Sequence, residues 1–258
     1  MAFQLTWMPR VLRQAGLKIA ETPGLVDRGR GNMRHVRGVI CHHTVGARDG
    51  NMPSLNVLVE GRSGLRGPLC HLGLGRDGTF YMIGAGSANH AGPGRWQGFS
   101  NGGSGFIGIE AENMGYPEED PWPDVQIDAF IRGVAALFGH LNLAADRCCS
   151  HREWALPAGR KVDPHSIDMV DFREKVDLTM SGGFPKRPVI PARDNAQRPT
   201  LRRGARGHWV KEVQHKLGLI ADGIFGPLTE AKIRQYQRDK GVVGDGIVGP
   251  VTWALLTD

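Results

Sequence analysis

The sequence predicts an α/β domain, built as a mixed central sheet flanked by helices, followed by a small all-α module. Three observations point there. Short β-branched runs alternate with amphipathic helical stretches, the pattern of a sheet covered by helices. Residues 69–86, LCHLGLGRDGTFYMIGAG, place two apolar runs around Arg-Asp-Gly and read as a hairpin, which makes the sheet mixed. Near the C-terminus DGIFGPLTEAKI (222–233) is echoed by DGIVGPVTWALL (245–256), each an Asp-Gly turn followed by a proline-led helix.

In chain order, residues 5–19 carry Leu5, Met8, Val11, Leu12 and Leu17 at roughly helical spacing, with Pro9 suited to a helix start. VRGVICHH (36–43) is a strand, and PSLNVLVEG (53–61) a short helix opened by Pro53. The hairpin turns at Asp77-Gly78, a Gly-rich loop runs over 92–105, and FIGIEAEN (106–113) is a further strand. DVQIDAFIRGVAALFGHLNL (124–143) is the strongest helix: Ile127, Phe130, Ile131, Val134, Leu137, Phe138 and Leu141 share a face, and Asp124 is placed to cap it. A last helix of the large domain is expected near 166–178, starting at Ser166 and burying Ile167, Met169, Val170 and Val176. The domains read as 1–180 and 200–258, joined by a Gly/Pro/charge-rich linker at 181–199. The first helix of the small module is HWVKEVQHKLGL (208–219). Its Asp222, Asp245, Trp253 and Tyr236 read as turn and core residues.

Of the 258 residues, 40% are hydrophobic and 22% charged, and no apolar run approaches the roughly 20 that a membrane helix needs. The first 20 residues scatter basic groups through any candidate apolar core, so neither a secretory signal nor membrane insertion is expected. Net charge is +6, which favours anionic partners, but Lys and Arg are dispersed and the nearest cluster is LRRGAR (201–206). Nucleic acid is therefore not an expected partner. Cys41, Cys70, Cys148 and Cys149 show no CxxC spacing and are expected as reduced thiols.

The stretch GVICHHTVG (38–46) puts two histidines at the end of a buried strand, where alternation sends His42 and His43 to opposite faces. On residues alone they are either a hydrogen-bonded pair at a strand end or one ligand with one supporting neighbour. His151 and the segment Lys161-Val162-Asp163-Pro164 are the other polar clusters of the large domain. Two imidazoles and a carboxylate satisfy the rule for a catalytic zinc site, three protein ligands plus an open vertex, although no compact metal motif is present.

VICHHTVG together with SHREWALPAGRKVDP resembles the type 2 N-acetylmuramoyl-L-alanine amidase family, which includes amidase-type phage lysozymes and the peptidoglycan recognition proteins. CHLGLGRDGTFY, ANHAG and GIEAEN fall in the family's order, and the resemblance covers about residues 34–175. Ser150 stands where the family usually has glycine. Residues 200–258 resemble the common peptidoglycan-binding module, and two wall-directed domains on one chain resemble a phage endolysin, in style that of actinobacterial phages.

Carried over residue by residue, the resemblance implies one Zn²⁺ held by His42, His151 and Asp163, with His43 as core or support. It implies that Lys161 stabilises the oxyanion and that a glutamate moves the proton. Cys70 occupies the position of the family's alternative tyrosine, which leaves Glu110 as the expected acid/base and Glu112 as the runner-up. His90 is expected to line the substrate cleft, and His71 to be a core or supporting histidine. The implied reaction is hydrolysis of the bond between N-acetylmuramic acid and L-alanine in peptidoglycan by a monomer. Such an enzyme waits in the host cytoplasm, without a signal peptide, until a holin opens the membrane. The alternatives are a wall-binding protein without catalysis and a zinc peptidase cutting the stem peptide.

Overall fold

The computed structural model describes residues 3–116, 118–182, 198–240, 242 and 246–257. The expected linker lies almost wholly outside the described residues, as does Asp245. The chain divides into two compact units, Met1–Ser181 and Gly182–Asp258.

The first unit runs α1 (Met8–Gln14), β1 (Lys18–Glu21), β2 (Gly38–His43), α2 (Leu55–Glu60), β3 (Gly61–Arg62), β4 (Leu65–Arg66), β5 (Leu72–Leu74) and β6 (Thr79–Met82). It continues through α3 (Gly102–Gly105), β7 (Phe106–Ala111), α4 (Asp124–Leu141), β8 (Cys148–Ser150), α5 (His151–Trp154) and α6 (Met169–Met180). Six strands form one sheet in the order β1-β6-β5-β7-β2-β8, and β3 and β4 make a separate antiparallel pair. Only β5 and β6 are antiparallel in the large sheet, so it is mixed. Their turn is the expected one: Gly78 has φ +78°, and the Asp77 carboxylate accepts the Thr79 N–H at 2.9 Å.

Every residue of β2 is buried, as a strand bordered by parallel partners on both sides should be. α4 buries Phe130, Val134, Leu137 and Phe138, and its Phe130 ring meets Phe172 of α6 edge-on with centroids 5.3 Å apart. A second cluster packs Ile40, Ala91, Phe106, Cys149 and Trp154, and a third packs Met52, Leu58, Leu69, Cys70 and Ile83.

Several expected boundaries are corrected. β1 and β8 were not anticipated; each is short and pairs with sequence-distant strands, so neither shows a pattern of its own. Asp124 does not cap α4: Pro123 occupies the N-cap position and Asp124 lies in the first turn. The last helix begins at Met169 rather than Ser166, because Asp168 is its cap, its Oδ1 accepting the N–H groups of Val170 and Asp171 at 2.8 and 3.3 Å. Ser166 has φ +56°, outside helical space. Val170 faces outward and is 61% exposed; Phe172 is buried in the helix instead.

The second unit holds α7 (His208–Lys216), α8 (Pro227–Asp239) and α9 (Pro250–Thr257) around Val210, Val213, Phe225, Ile233, Val248 and Trp253. The sequence echo is a structural echo. Gln214 accepts the Gly223 N–H at 2.9 Å and donates to Ile224 O and Thr229 Oγ1 at 3.0 and 3.1 Å. Gln237 accepts the Gly246 N–H at 2.9 Å and donates to Ile247 O and Thr252 Oγ1 at 2.9 and 3.0 Å. In each copy one buried glutamine ties the turn to the helix that follows it.

Candidate metal centre

The sheet register delivers the first part of the site. His42 of β2 pairs with Glu110 of β7, so their side chains emerge together at the carboxyl ends of parallel strands. On the other side of β2, Cys41 pairs with Ser150 of β8, and the next residue, His151, opens α5 beside His42. That chain reversal is held by a capping box: Ser150 Oγ accepts the Glu153 N–H at 3.1 Å, and Glu153 accepts the Ser150 N–H at 2.8 Å. Arg173 of α6 locks Glu153 with two bonds of 3.1 Å. Asp163 comes from the following loop, its carbonyl accepting the Arg152 N–H at 2.9 Å.

The structure brings His42, His151 and Asp163 together. His42 Nδ1 is 3.0 Å from His151 Nδ1 and 3.2 Å from Asp163 Oδ2, and His151 Nδ1 is 3.0 Å from that same oxygen. All three residues are buried. The other ring nitrogens identify the tautomers. His151 Nε2 donates to Ala91 O at 2.9 Å, so in the neutral, ligating form of the ring Nδ1 carries the lone pair. His90 Nε2 donates to Phe106 O at 3.2 Å, so His90 Nδ1 accepts from His42 Nε2 at 3.1 Å, and His42 Nδ1 is a lone pair too. Three acceptors facing one another repel unless a cation lies between them. A tetrahedral ion with bonds of about 2.0–2.1 Å spaces its ligand atoms about 3.3 Å apart, close to the observed triangle, so the donor set fits a metal ion.

Electrostatics agree. Burial pushes His42 down to about 4 against the pull of the neighbouring Asp163 carboxylate, keeping the imidazole neutral, the form that ligates. Burial alone raises the Asp163 carboxyl, but the two imidazoles beside it outweigh burial and hold the group well below the usual carboxylate range.

The group borders a cavity of about 580 Å³ whose lining also includes His43, His90, Glu110 and Lys161. Glu110 Oε1 is 3.9 Å from His42 Nδ1, and its Oε2 is buried without a hydrogen-bond partner among the described residues. Burial, then the charge of Asp163, pushes the Glu110 carboxyl well above its ordinary value. Glu112 is placed differently. It is fully buried and accepts from Thr44 Oγ1 at 2.6 Å, Ser54 N at 2.9 Å and Ser54 Oγ at 3.0 Å. Strand β7 ends at Ala111, so alternation along the strand no longer governs Glu112.

His90 borders the cavity while both its nitrogens are engaged, so only its ring edge can meet a ligand there. It approaches β7 closely because residue 108 is glycine; a Cβ there would come 2.5 Å from the His90 ring. His71 is buried, its Nδ1 accepting the Gly108 N–H at 2.9 Å. Cys70 sits in an apolar cluster, where burial raises its thiol well above the ordinary range. All four cysteines are free thiols, with Cys41 and Cys148 Sγ atoms 3.4 Å apart. The carbonyls of Ala91 and Phe106, which set the two tautomers, were not anticipated; a backbone acceptor leaves no residue-type signal.

Among the described residues no helix is long and apolar enough to cross a membrane. No curated protein matches the chain. Among solved structures, AmiD from E. coli aligns at 15% identity over 89% of this chain and 90% of that one, with TM-score 0.46. The endolysin LysCS from Clostridium intestinale aligns at 17% identity over 62% and 95%, with TM-score 0.44. The Ph2119 endolysin of a Thermus scotoductus bacteriophage aligns at 17% identity over 62% and 99%, also at 0.44. Residues 210–256 match the putative peptidoglycan binding domain. Residues 32–166, which contain every member of the candidate centre, match N-acetylmuramoyl-L-alanine amidase, and the chain belongs to that family.

Proposed function

We propose that this amidase cuts the bond between the lactyl group of N-acetylmuramic acid and L-alanine with one Zn²⁺ held by His42, His151 and Asp163, and that it serves as a phage endolysin. One observation carries the reading: three lone pairs converge within 3.2 Å of one another beside a glutamate with an unpartnered, buried oxygen.

Zinc, when bound, supplies a water whose pKa falls towards about 7 and a Lewis acid for the scissile carbonyl. His42 and His151 present Nδ1 because Ala91 and the His90–Phe106 relay hold the opposite protons. Glu110 takes a proton from the attacking water and passes it to the departing amine, and its raised pKa suits it to both halves of that transfer. Lys161, on the cavity wall, balances negative charge as it grows on the carbonyl oxygen. His90 keeps His42 oriented and offers its ring edge to the substrate. The C-terminal unit keeps the enzyme on peptidoglycan. As an endolysin the chain works as a monomer, held in the host cytoplasm until a holin-type opening admits it to the wall.

The test combines metal analysis with product chemistry. Purified protein should carry about one zinc, Asp163→Ala should carry none, and chelation should abolish wall clearing until zinc is returned. Mass spectrometry of the digest should show intact stem peptides with a free L-alanine amine. Cleavage within the stem would overturn the amidase bond assignment, and metal-independent clearing would overturn the zinc assignment.

A further inference from the structure

His43 and Trp122 have no part in the chemistry above, yet both grip the backbone of the same residue. His43 Nδ1 accepts the backbone N–H of His165 at 3.1 Å, and Trp122 Nε1–H donates to the His165 carbonyl at 2.9 Å. His165 is two residues beyond Asp163. Both polar groups of one backbone residue are thus held by side chains from two other parts of the fold, β2 and the loop before α4.

The segment carrying Asp163 needs such support. It has no regular secondary structure between α5 and α6, and its Val162 is 59% exposed. Arg152 N–H on Asp163 O is its tie on the near side, and the Arg152 guanidinium reaches Ile167 O at 3.2 Å on the far side. Between these anchors the His43 and Trp122 bonds are the ones that fix the chain just past the carboxylate.

The gripping side chains are themselves fixed. His43 shares a strand with His42 and points to the other face, so its position is set by the same register that sets the first histidine. The His43 and Trp122 rings lie 6.5 Å apart at 33°. The loop between β7 and α4 closes onto His43 at Gly115, which has φ +84° and where a Cβ would fall 2.6 Å from His43 Cε1. That loop is tied down in turn: Asn113 Oδ1 accepts the Gly115 N–H at 2.7 Å, and Arg76 binds Asp120 at 2.7 Å.

We propose that His43 and Trp122 form a two-sided clamp on the backbone of His165 that holds the Asp163 carboxylate in place for the metal, making both of them positioning residues. This rests on the zinc reading of the centre. It also accounts for the second histidine of the pair, because the strand that supplies one ligand sets the place of another through the adjacent residue.

The experiment measures zinc affinity by competition with a chromogenic chelator, in full-length protein, alongside the melting temperature of each metal-free variant. Trp122→Phe keeps the ring and removes the N–H. His43→Leu removes the acceptor, and His43→Asn returns an acceptor in nearly the same place. Outer partners of metal ligands typically matter about 10–100-fold in affinity. Trp122→Phe and His43→Leu should each weaken zinc by roughly that factor while the metal-free melting temperature stays near wild type, and His43→Asn should recover most of the loss. Variants that hold zinc as tightly as a zinc-binding wild type overturn the clamp alone. So does a His43→Asn protein as weak as His43→Leu, since ring packing would then be the cause. A wild type that takes up no zinc overturns the zinc reading and the clamp with it.

Discussion

His42 Nε2 lies 3.1 Å from His90 Nδ1, and the direction of that one bond decides which His42 nitrogen faces the cavity. Phe106 O sets His90, His90 sets His42, and a lone pair results where the metal is proposed to sit. Gly108→Ala tests the relay without substituting either histidine. Its Cβ would press on the His90 ring from 2.5 Å. Zinc affinity is expected to fall about 10–100-fold, as for other outer partners. Zinc binding unchanged by Gly108→Ala would show that His42 keeps its tautomer unaided.

Glu110 and Glu112 should separate in kinetics. Glu110→Gln keeps the shape and removes the titrating oxygen, so kcat should fall about 10²–10⁴-fold with zinc content retained. Glu112→Gln disturbs the bonds to Thr44 and Ser54 and should appear chiefly as lost stability, about 1–3 kcal/mol, measured by denaturant titration. If Glu112→Gln proves to be the kinetically dead variant at full stability, the acid/base roles are reversed.

The buried histidines make acid stability predictable in sign. Burial pushes His71 down to about 3 and His42 down to about 4, against an ordinary value near 6.5. Below 6.5 the unfolded chain therefore binds more protons than the folded one, so stability rises with pH across this window and is lost as pH falls towards 3. Glu110 works in the opposite sense, because its raised carboxyl protonates first in the folded state. The histidines act together and should prevail: in chelated protein the denaturant midpoint should be level above about pH 7 and decline from 6.5 downwards. His71→Asn should make that decline shallower, whatever it does to the level. An equal slope would mean that His71 titrates normally.

Much of this was legible because it is encoded locally. The β-branched run before His42, the Asp77-Gly78 turn and the apolar face of α4 each reside within a single short stretch of chain, the longest being the 18 residues of α4. What was not legible depends on distant partners. Lys18–Glu21 is a strand only because Thr79–Met82 lies alongside, and Cys148–Ser150 only because β2 offers it an edge. The start of α6 is ambiguous in sequence because Ser166 and Asp168 are both acceptable caps by residue type, and only the positive φ at Ser166 excludes it. The grouping of His42, His151 and Asp163 came from family resemblance, since their spacing carries no compact metal signature.

Charge is divided unevenly between the two units. Residues 1–181 hold 19 Lys/Arg against 19 Asp/Glu, whereas 182–258 hold 13 against 7, so the entire net charge of +6 resides in the C-terminal unit. An attraction of that kind between exposed charges weakens as the Debye length shrinks, from about 10 Å at 0.1 M salt to about 3 Å at 1 M. Co-sedimentation of the full chain with purified walls should therefore fall steeply between these salt concentrations. Replacing Arg202, Lys216 and Lys232 together by Gln should flatten the dependence. Retention that is indifferent to salt would assign wall binding to shape and hydrogen bonds instead.

The two glutamine clamps predict where the C-terminal unit is weakest. Gln214 is 2% exposed and Gln237 is 1% exposed, and each satisfies a backbone N–H, a backbone carbonyl and a threonine hydroxyl. Leucine at either position fills the volume but strands the glycine N–H in a buried site, at a cost of about 1–3 kcal/mol, and leaves the carbonyl only its bond from the threonine hydroxyl. A unit this small has little stability in reserve. Gln214→Leu and Gln237→Leu should each strip hydrogen-exchange protection from α7, α8 and α9 while leaving protection in β2 and β7 intact. Zinc content should be unchanged, because no ligand lies in this unit. Activity on a soluble muropeptide should then persist while activity on whole walls falls. Protection retained throughout α7–α9 in both variants would mean that the paired glutamines accompany the repeat without holding it together.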